Sequence, residues 1–194
     1  MTGQKQLWIL AGANGAGKST FYRLFLKGRG INLINADTIA RAINPANQES
    51  ASYQAMILAE KIREDLLVQG ISFCFETVFS HPSKIDFVAR ARSLGYYIVL
   101  VYIHLETPEL NEARVHQRVA EGGHNVPPEK IRSRIPRTMK HVATILPLVH
   151  EARLLDNSLF DAPFRKIAVI GQGVLTESVR PLPGWATEVL KHIR

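Results

Sequence analysis

The sequence predicts an α/β fold of three layers, in which helices flank a mostly parallel β-sheet. Short apolar runs of strand length alternate with stretches of helical periodicity, the pattern of strands joined by crossover helices. The 194 residues are 46% hydrophobic, enough to bury a full core without a metal or a disulfide. Because the sequence has neither an internal repeat nor a linker long enough to separate a pair of domains, one domain is expected over residues 1–194.

In the first half of the chain, three apolar runs have the length of strands. They are Leu7–Ala11, Ile31–Ala36 and Ser72–Thr77. A helical spacing of apolar residues follows the first run, and Asp37 stands where it would cap the helix after the second. Apolar residues at steps of three and four predict a long helix over Ser50–Val68, which Gly70 ends.

The second half begins with the most apolar run, Tyr96–Leu105, which we expect to be the central strand because parallel strands are buried on both faces. Thr107 and Pro108 predict a helix start, by capping and by the preference of proline for the first helical position. Another helix is expected over Glu129–Leu148, with Pro136 interrupting it. Two short strands and a closing helix complete the prediction, over Arg153–Asn157, Lys166–Gly171 and from Pro183 onward.

Charge and composition exclude several classes of protein. The chain has 24 Lys and Arg against 17 Asp and Glu, a net charge of +7 that favours anionic partners. A single cysteine, Cys74, excludes a disulfide framework and a multi-cysteine zinc site. No apolar run approaches the roughly 20 residues of a membrane helix, and the N-terminus does not read as a signal peptide. A cytoplasmic setting without a membrane partner is therefore expected.

The most specific signal is the run GANGAGKS at Gly12–Ser19, which matches the pattern G-x-x-x-x-G-K-[ST]. Glycines let the backbone curl so that successive N–H groups point at phosphate oxygens, and the helix that follows adds its positive end. Lys18 would reach the β and γ phosphates, and the Ser19 hydroxyl would ligate Mg²⁺. The expected ATP contacts are Gly12, Ala13, Asn14, Gly15, Ala16, Gly17, Lys18, Ser19 and Thr20. The fold class is thereby narrowed to a P-loop NTPase or kinase.

The acidic residues favour a kinase over a switch GTPase or a motor ATPase. The chain lacks the guanine-reading N-K-x-D of switch GTPases, and the central strand leads to Glu106 rather than to an Asp. A kinase needs an acid near the γ phosphate, and Asp37 and Glu76 follow strands whose carboxyl ends meet at one edge. Asp37 could also be a helix cap alone, but its position beside the loop favours a catalytic role. Glu76 could contact metal-bound water or substrate, or form an internal ion pair, and Thr77 beside it could be a plain strand residue.

A basic segment predicts a helical lid over residues 108–148. Between residues 114 and 141, seven Lys or Arg stand against two acids, on two helices joined by the turn GGHNVPP. Arginine suits a lid over phosphates because its guanidinium can bind two oxygens at once and stays charged where water is excluded. Any one of the arginines could also lie on a solvated helix face. His124 could donate a hydrogen bond to a phosphate or be an ordinary loop residue. The arginines that carry the lid prediction are Arg118, Arg132, Arg134 and Arg137.

Taken together, these motifs resemble the zeta-toxin-like P-loop kinases, in particular their short single-domain bacterial members. The resemblance covers about residues 7–160 and is carried by GANGAGKST, INAD, FET, RVAEGGHNVP and DNS. It implies ATP-dependent transfer of the γ-phosphate to a hydroxyl of a small molecule. The larger toxins phosphorylate UDP-N-acetylglucosamine, so a nucleotide sugar is the implied acceptor, and an antitoxin protein is an implied partner.

The resemblance also implies roles for individual residues. Asp37 would take the proton of the acceptor hydroxyl, while Lys18 and Arg118 hold the transferring phosphate. Glu76 and Thr77 would contact the acceptor, although the toxins have Glu-Gly-Thr where this chain has Glu-Thr. The larger toxins carry a second catalytic arginine at the place of His124, so either His124 takes over some of that role or a lid arginine does, Arg132 or Arg134. Asn157, within DNS, would lie near the adenine or serve as a turn residue.

Two other functions remain open at this point. The net charge suggests a polynucleotide 5′-kinase, but the basic segment lacks the interleaved aromatic residues that stack on bases, so nucleic acid is not the expected partner. The alternative from another class is a nucleotide-binding module without turnover, paired with an antitoxin.

Overall fold

The computed structural model describes residues 3–123 and 125–193, and in these ranges seven strands form one sheet in the order β2-β3-β1-β4-β5-β6-β7. Strands β1 to β5 are parallel, and β6 and β7 are antiparallel. The strands are β1 (Gln6–Ala11), β2 (Asn32–Ile34), β3 (Phe73–Thr77), β4 (Tyr97–His104), β5 (Glu151–Asp156), β6 (Arg165–Gly171) and β7 (Val174–Ser178).

Seven α-helices surround the sheet in the described ranges: α1 (Lys18–Phe21), α2 (Ala36–Ile43), α3 (Gln48–Gln69), α4 (Ser83–Ser93), α5 (Pro108–Ala120), α6 (Pro128–Ile145) and α7 (Gly184–Leu190). The short α1 continues as a π-helical turn over Tyr22–Leu26 and a 3₁₀ turn over Lys27–Arg29. Helix α3 is capped at its start by Asn47, whose side chain accepts from Ser50 N, and at its end by Gly70 in the left-handed conformation.

Both faces of the sheet are buried. Along β1, Leu7 and Ile9 belong to the core cluster on one face, and Trp8 and Leu10 to the cluster on the other. Such alternation within a continuous apolar strand is what a sheet covered on both sides requires. The predicted three-layer α/β class is therefore confirmed, and β4, the fourth of seven strands, is central as predicted.

The strand order places a crevice at the carboxyl end of β1. Because β1 pairs with β3 on one side and β4 on the other, the connections that leave these strands diverge there. Ligands of open parallel sheets bind at such a switch point. The ends of β2 and β3 lie to one side of β1, and the end of β5 lies to the other.

The sequence prediction for the second half has one error and one omission. Pro136 does not interrupt the helix, since α6 runs through it from Pro128 to Ile145. A proline removes one N–H donor from the helical ladder, and the buried face of α6 continues on both sides, at Ile131 and Val142 among others, so packing holds the helix together. The sequence prediction also missed β7, whose side chains are mostly exposed.

Candidate active site

The predicted phosphate loop joins the end of β1 to α1 and is tightly enclosed. Gly15 and Gly17 both have positive φ, +79° and +100°, which glycine adopts without strain. A Cβ on Gly15 would lie 2.6 Å from the Asn111 carbonyl oxygen of α5. A Cβ on Gly17 would lie 2.5 Å from Asn157 Nδ2, just after β5. The loop therefore needs glycine both for its backbone conformation and for its contact with two neighbouring segments.

Lys18 lies at the start of α1 with only 8% of its surface exposed. Its Nζ donates to the carbonyl oxygens of Gly12, at 2.9 Å, and Ala13, at 3.0 Å. Burial lowers the pKa of Lys18 below its ordinary value; the carboxylates of Glu76 and Asp37 oppose this shift, and the charge of Arg118 adds to it. Burial removes water that would otherwise stabilise the charged ammonium. The negative charge of an anion bound in the loop would stabilise it instead.

Ser19 and Glu76 bring two oxygen ligands together at the mouth of the loop. The Ser19 hydroxyl donates to Glu76 Oε2 at 2.8 Å, joining α1 to the end of β3. Hydroxyl and carboxylate oxygens are what Mg²⁺ prefers, and Mg²⁺ usually takes its remaining ligands from phosphates and water. Among the described residues no group of three or more His, Cys, Asp or Glu could hold a metal ion. The pair thus fits a nucleotide-associated Mg²⁺ rather than an all-protein metal cage.

Asp37 is not the cap of α2. The cap is Asn35, whose Oδ1 accepts from the backbone N–H of Asp37 at 2.7 Å and of Thr38 at 3.2 Å. Both residue types cap well, and the chain enters the helix earlier than the sequence suggested. The Asp37 side chain instead lines the cavity next to the phosphate loop.

A cavity of about 700 Å³ opens beside the loop and collects most of the predicted site residues. Three cations and two acids line it, namely Lys18, Arg114, Arg118, Asp37 and Glu76. Thr77 lies with the acids at the ends of β2 and β3. The opposite side, beyond β1, is apolar and is formed by Leu24, Leu159, Phe160, Pro163 and Phe164.

The lid arginines are not equivalent. Arg118 lines the cavity from α5, as predicted. Arg134 Nη1, on α6, donates to Asn14 Oδ1 at 3.3 Å and so touches the phosphate loop from outside. Arg132 pairs with α5, where its Nη1 lies 2.9 Å from Glu109 and its Nη2 donates to Glu112 at 3.1 Å. The structure does not bring Arg132 to the cavity, and His124 lies outside the described residues.

Asn157 lines the cavity, but its amide is used within the protein. Nδ2 donates to Ala16 O at 2.9 Å, and Oδ1 accepts from Phe164 N at 3.2 Å. The residue thereby ties the phosphate loop to the apolar wall. Whether it also approaches an adenine stays a prediction.

Sequence reasoning missed two residues of α5. Asn111, 1% exposed, donates from Nδ2 to Asn14 O at 2.7 Å and anchors the phosphate loop. Arg114 lines the cavity and donates from Nη2 to Asn157 O at 2.8 Å. A signal for both existed in the spacing, because residues 111, 114 and 118 recur at three and four and so share one face of α5.

The strand order, the loop after β1 and the arginine-bearing helix pair define a P-loop kinase fold. The family model of the Zeta toxin matches residues 1–155, and the chain belongs to the Zeta toxin family. The resemblance seen in the sequence is thereby confirmed. An uncharacterised protein of Haemophilus influenzae (strain Rd) is 33% identical over 138 residues, which are 68% of this chain and 98% of that protein.

Solved structures share the fold at lower identity, among them two toxin-related complexes. The complex of AvrRxo1-ORF1 and -ORF2 with ATP matches with a TM-score of 0.71 at 19% identity, over 89% of this chain and 60% of that one. The PezAT toxin–antitoxin system of Streptococcus pneumoniae matches with a TM-score of 0.62 at 18% identity, over 80% of this chain and 68% of that one. This chain thus spans about three fifths of the AvrRxo1 chain.

In the described ranges, none of the helices combines the length and the apolarity that crossing a bilayer requires.

Proposed function

We propose that this protein is an ATP-dependent kinase that transfers the γ-phosphate to a hydroxyl of a small molecule, with a nucleotide sugar such as UDP-N-acetylglucosamine as the acceptor. One observation carries the proposal: Lys18, Arg118 and Asp37 line a single cavity that opens on the phosphate loop. Phosphoryl transfer needs this combination, cations for the charge of the transferring group and an acid for the proton of the acceptor. Membership in the Zeta toxin family supports it.

The donor nucleotide fits one half of the cavity. Its phosphates would lie in the loop, within reach of Lys18, and its base against the apolar wall beyond β1. Phe160 is 99% exposed at that wall, so its ring is accessible for stacking on a bound base. Ser19 and Glu76 would hold Mg²⁺, which when bound neutralises phosphate charge.

The acceptor fits the other half, at the ends of β2 and β3. Asp37 is exposed there and Thr77 is half-buried, so both are accessible to a bound hydroxyl compound. The acceptor oxygen forms a bond to the γ phosphorus, the bond from that phosphorus to the bridging β–γ oxygen breaks, and ADP leaves. Asp37 receives the proton of the hydroxyl.

An antitoxin-like protein is the proposed macromolecular partner. The PezAT structure is that of a toxin–antitoxin system, and this chain shares its fold. Growth arrest on expression, relieved by Asp37→Asn and by co-expression of a neighbouring reading frame, would support the proposed partner. Harmless expression of an active kinase would instead indicate a housekeeping enzyme.

Transfer of ³²P from γ-labelled ATP tests the function. The panel holds UDP-sugars, aminoglycosides, nucleosides and single-stranded oligonucleotides, with wild type and Asp37→Asn side by side. We expect a labelled UDP-sugar with wild type and a loss of at least about 100-fold with Asp37→Asn, since general-base catalysis contributes that much or more. Labelling of the oligonucleotides would show that the protein is a polynucleotide kinase instead. ATP binding without any labelled acceptor would indicate a nucleotide-binding module that does not turn over.

A further inference from the structure

The side chain of Asn35, directly after β2, is held in one orientation. Its Oδ1 accepts from the backbone N–H groups of Asp37, at 2.7 Å, and Thr38, at 3.2 Å, and so caps α2. Because only the oxygen of an amide accepts such bonds, these contacts also fix the direction of the amide nitrogen, Nδ2. Asn35 lines the cavity together with Asp37.

Nδ2 of Asn35 is a buried donor without a protein partner. The residue is 7% exposed, and within residues 3–123 and 125–193 its side chain makes only the two capping bonds. The nitrogen is nevertheless in contact with open space, since it is not one of the fully enclosed side-chain atoms that lack a partner. The open space beside Asn35 is the cavity. A buried donor without an acceptor is costly, and a ligand oxygen in the cavity would satisfy it.

Capping alone does not require asparagine at this position. Aspartate and serine also cap helices well, and neither carries an NH₂ group. The cap of α3, Asn47, accepts in the same way from Ser50 N at 3.2 Å, but Asn47 is exposed, so water can bind its nitrogen. At Asn35, burial leaves the cavity as the place for an accepting atom.

The position of Asn35 indicates which ligand supplies that atom. The cations that line the cavity lie on α1 and α5, around the phosphate loop, whereas Asn35 stands two residues before Asp37. Asp37 accepts a hydrogen bond from a hydroxyl, and the Asn35 amide donates one to an oxygen. This combination is complementary to two neighbouring oxygens of one sugar.

We propose that Asn35 is a specificity-determining residue of the acceptor site, whose Nδ2 donates to an oxygen on the carbon next to the hydroxyl that is phosphorylated. The proposal rests on the proposed kinase function, and it narrows the acceptor to compounds with two vicinal oxygen substituents, as in a sugar diol. Such a bond is selective, because an analogue without the second oxygen leaves the buried donor unpaired.

Asn35→Ser tests the proposal, because serine keeps a capping oxygen and removes the amide. Asn47→Ser is the matched control at the exposed cap of α3. Calorimetry measures the affinities for UDP-N-acetylglucosamine and for ATP, and transfer of labelled phosphate is followed with this sugar and with analogues that each lack one oxygen-bearing substituent.

We expect Asn35→Ser to lower the affinity and the kcat/KM for UDP-N-acetylglucosamine about 5- to 10-fold, the factor that one neutral hydrogen bond contributes. The affinity for ATP and the Tm should stay unchanged, because the cap is retained. Wild type should lose about the same factor with the analogue that lacks the neighbouring oxygen, and Asn35→Ser should show no further loss with it.

Three outcomes would overturn the proposal. The first is an affinity for UDP-N-acetylglucosamine in Asn35→Ser that equals that of wild type. The second is a loss of ATP affinity alone, which would mean that Nδ2 binds a phosphate. The third is a lowered Tm with equal losses for both ligands, or the same loss in Asn47→Ser, either of which would indicate a structural role.

The failure of the kinase function is distinguishable from these outcomes. A wild type that binds UDP-N-acetylglucosamine but transfers no phosphate contradicts the kinase function alone, and the affinities of wild type and Asn35→Ser still decide the role of Asn35. A wild type that binds ATP but none of the sugars contradicts both proposals.

Discussion

Replacing Asn157 by alanine tests whether one buried amide holds the nucleotide site together. Asn157 is 6% exposed, and both ends of its side chain are bonded, to Ala16 O at 2.9 Å and to Phe164 N at 3.2 Å. These bonds join the phosphate loop to the segment that follows β5. Removing them should therefore affect both the stability of the fold and the binding of ATP.

The magnitude follows from burial. Alanine leaves the carbonyl of Ala16, a residue without exposed surface, unpaired, and an unsatisfied buried group costs about 1–3 kcal/mol. Phe164 N is less buried and should add about 1 kcal/mol. We expect a loss of about 2–4 kcal/mol in the free energy of unfolding, and a fall of about 5–15 °C in Tm for a chain of this size.

Asn44→Ala is the matched control, measured beside Asn157→Ala by urea unfolding. Asn44 is also bonded at both ends, to Ser50 Oγ at 3.1 Å and to Asn47 N at 3.0 Å, but these bonds are exposed to water. Its replacement should cost less than about 1 kcal/mol, because water takes over the lost bonds. Equal losses for the two variants would refute the reasoning, since burial would then not decide the cost.

The remaining predictions concern pH, the base and the metal. Burial lowers the pKa of His104 from its ordinary 6.5 to about 4, so the unfolded chain binds the proton first as pH falls. The free energy of unfolding should therefore fall by about 2–3 kcal/mol as pH drops from 6.5 to 4, as measured by urea unfolding at pH 7, 5 and 4. The same dependence of the free energy of unfolding on pH in a His104→Phe variant would contradict this prediction. Phe160→Ala should raise the KM for ATP several-fold, as expected for a lost stacking contact of about 1 kcal/mol, and leave Tm unchanged because the residue is exposed. A lowered Tm with an unaltered KM would instead show that the ring stabilises the fold and does not bind the base. Glu76→Gln should raise the Mg²⁺ concentration needed for half-maximal transfer, because a neutral amide replaces one of the two proposed oxygen ligands. An unchanged dependence of transfer on Mg²⁺ concentration would show that Glu76 is not a metal ligand.

The features of the site that the sequence predicted are set by contiguous residues. The phosphate loop needs glycines, a lysine and a hydroxyl within eight positions, and the strand before it and the helix after it are visible as local patterns. The same holds for β4, whose apolar run is long enough to indicate a central strand. Local chemistry decides such features, so a linear reading finds them.

Long-range packing decided the features that the sequence left open or got wrong. Arg132 and Arg114 look alike in the sequence. The packing of α6 against α5 puts Arg132 beside Glu109, whereas the packing of α5 against the phosphate loop puts Arg114 in the cavity. Asn35 and Asp37 are both good caps, and the register of the chain leaving β2 decides between them. Strand β7 is too polar to signal a strand and is held by its pairing with β6.

Phosphorus NMR of the protein with ATP, Mg²⁺ and UDP-N-acetylglucosamine tests the central claim most directly. The account predicts that a new phosphomonoester resonance grows in step with ADP, and that neither appears with Asp37→Asn. ADP accompanied only by inorganic phosphate, or ATP that stays intact in the presence of this acceptor, would contradict it.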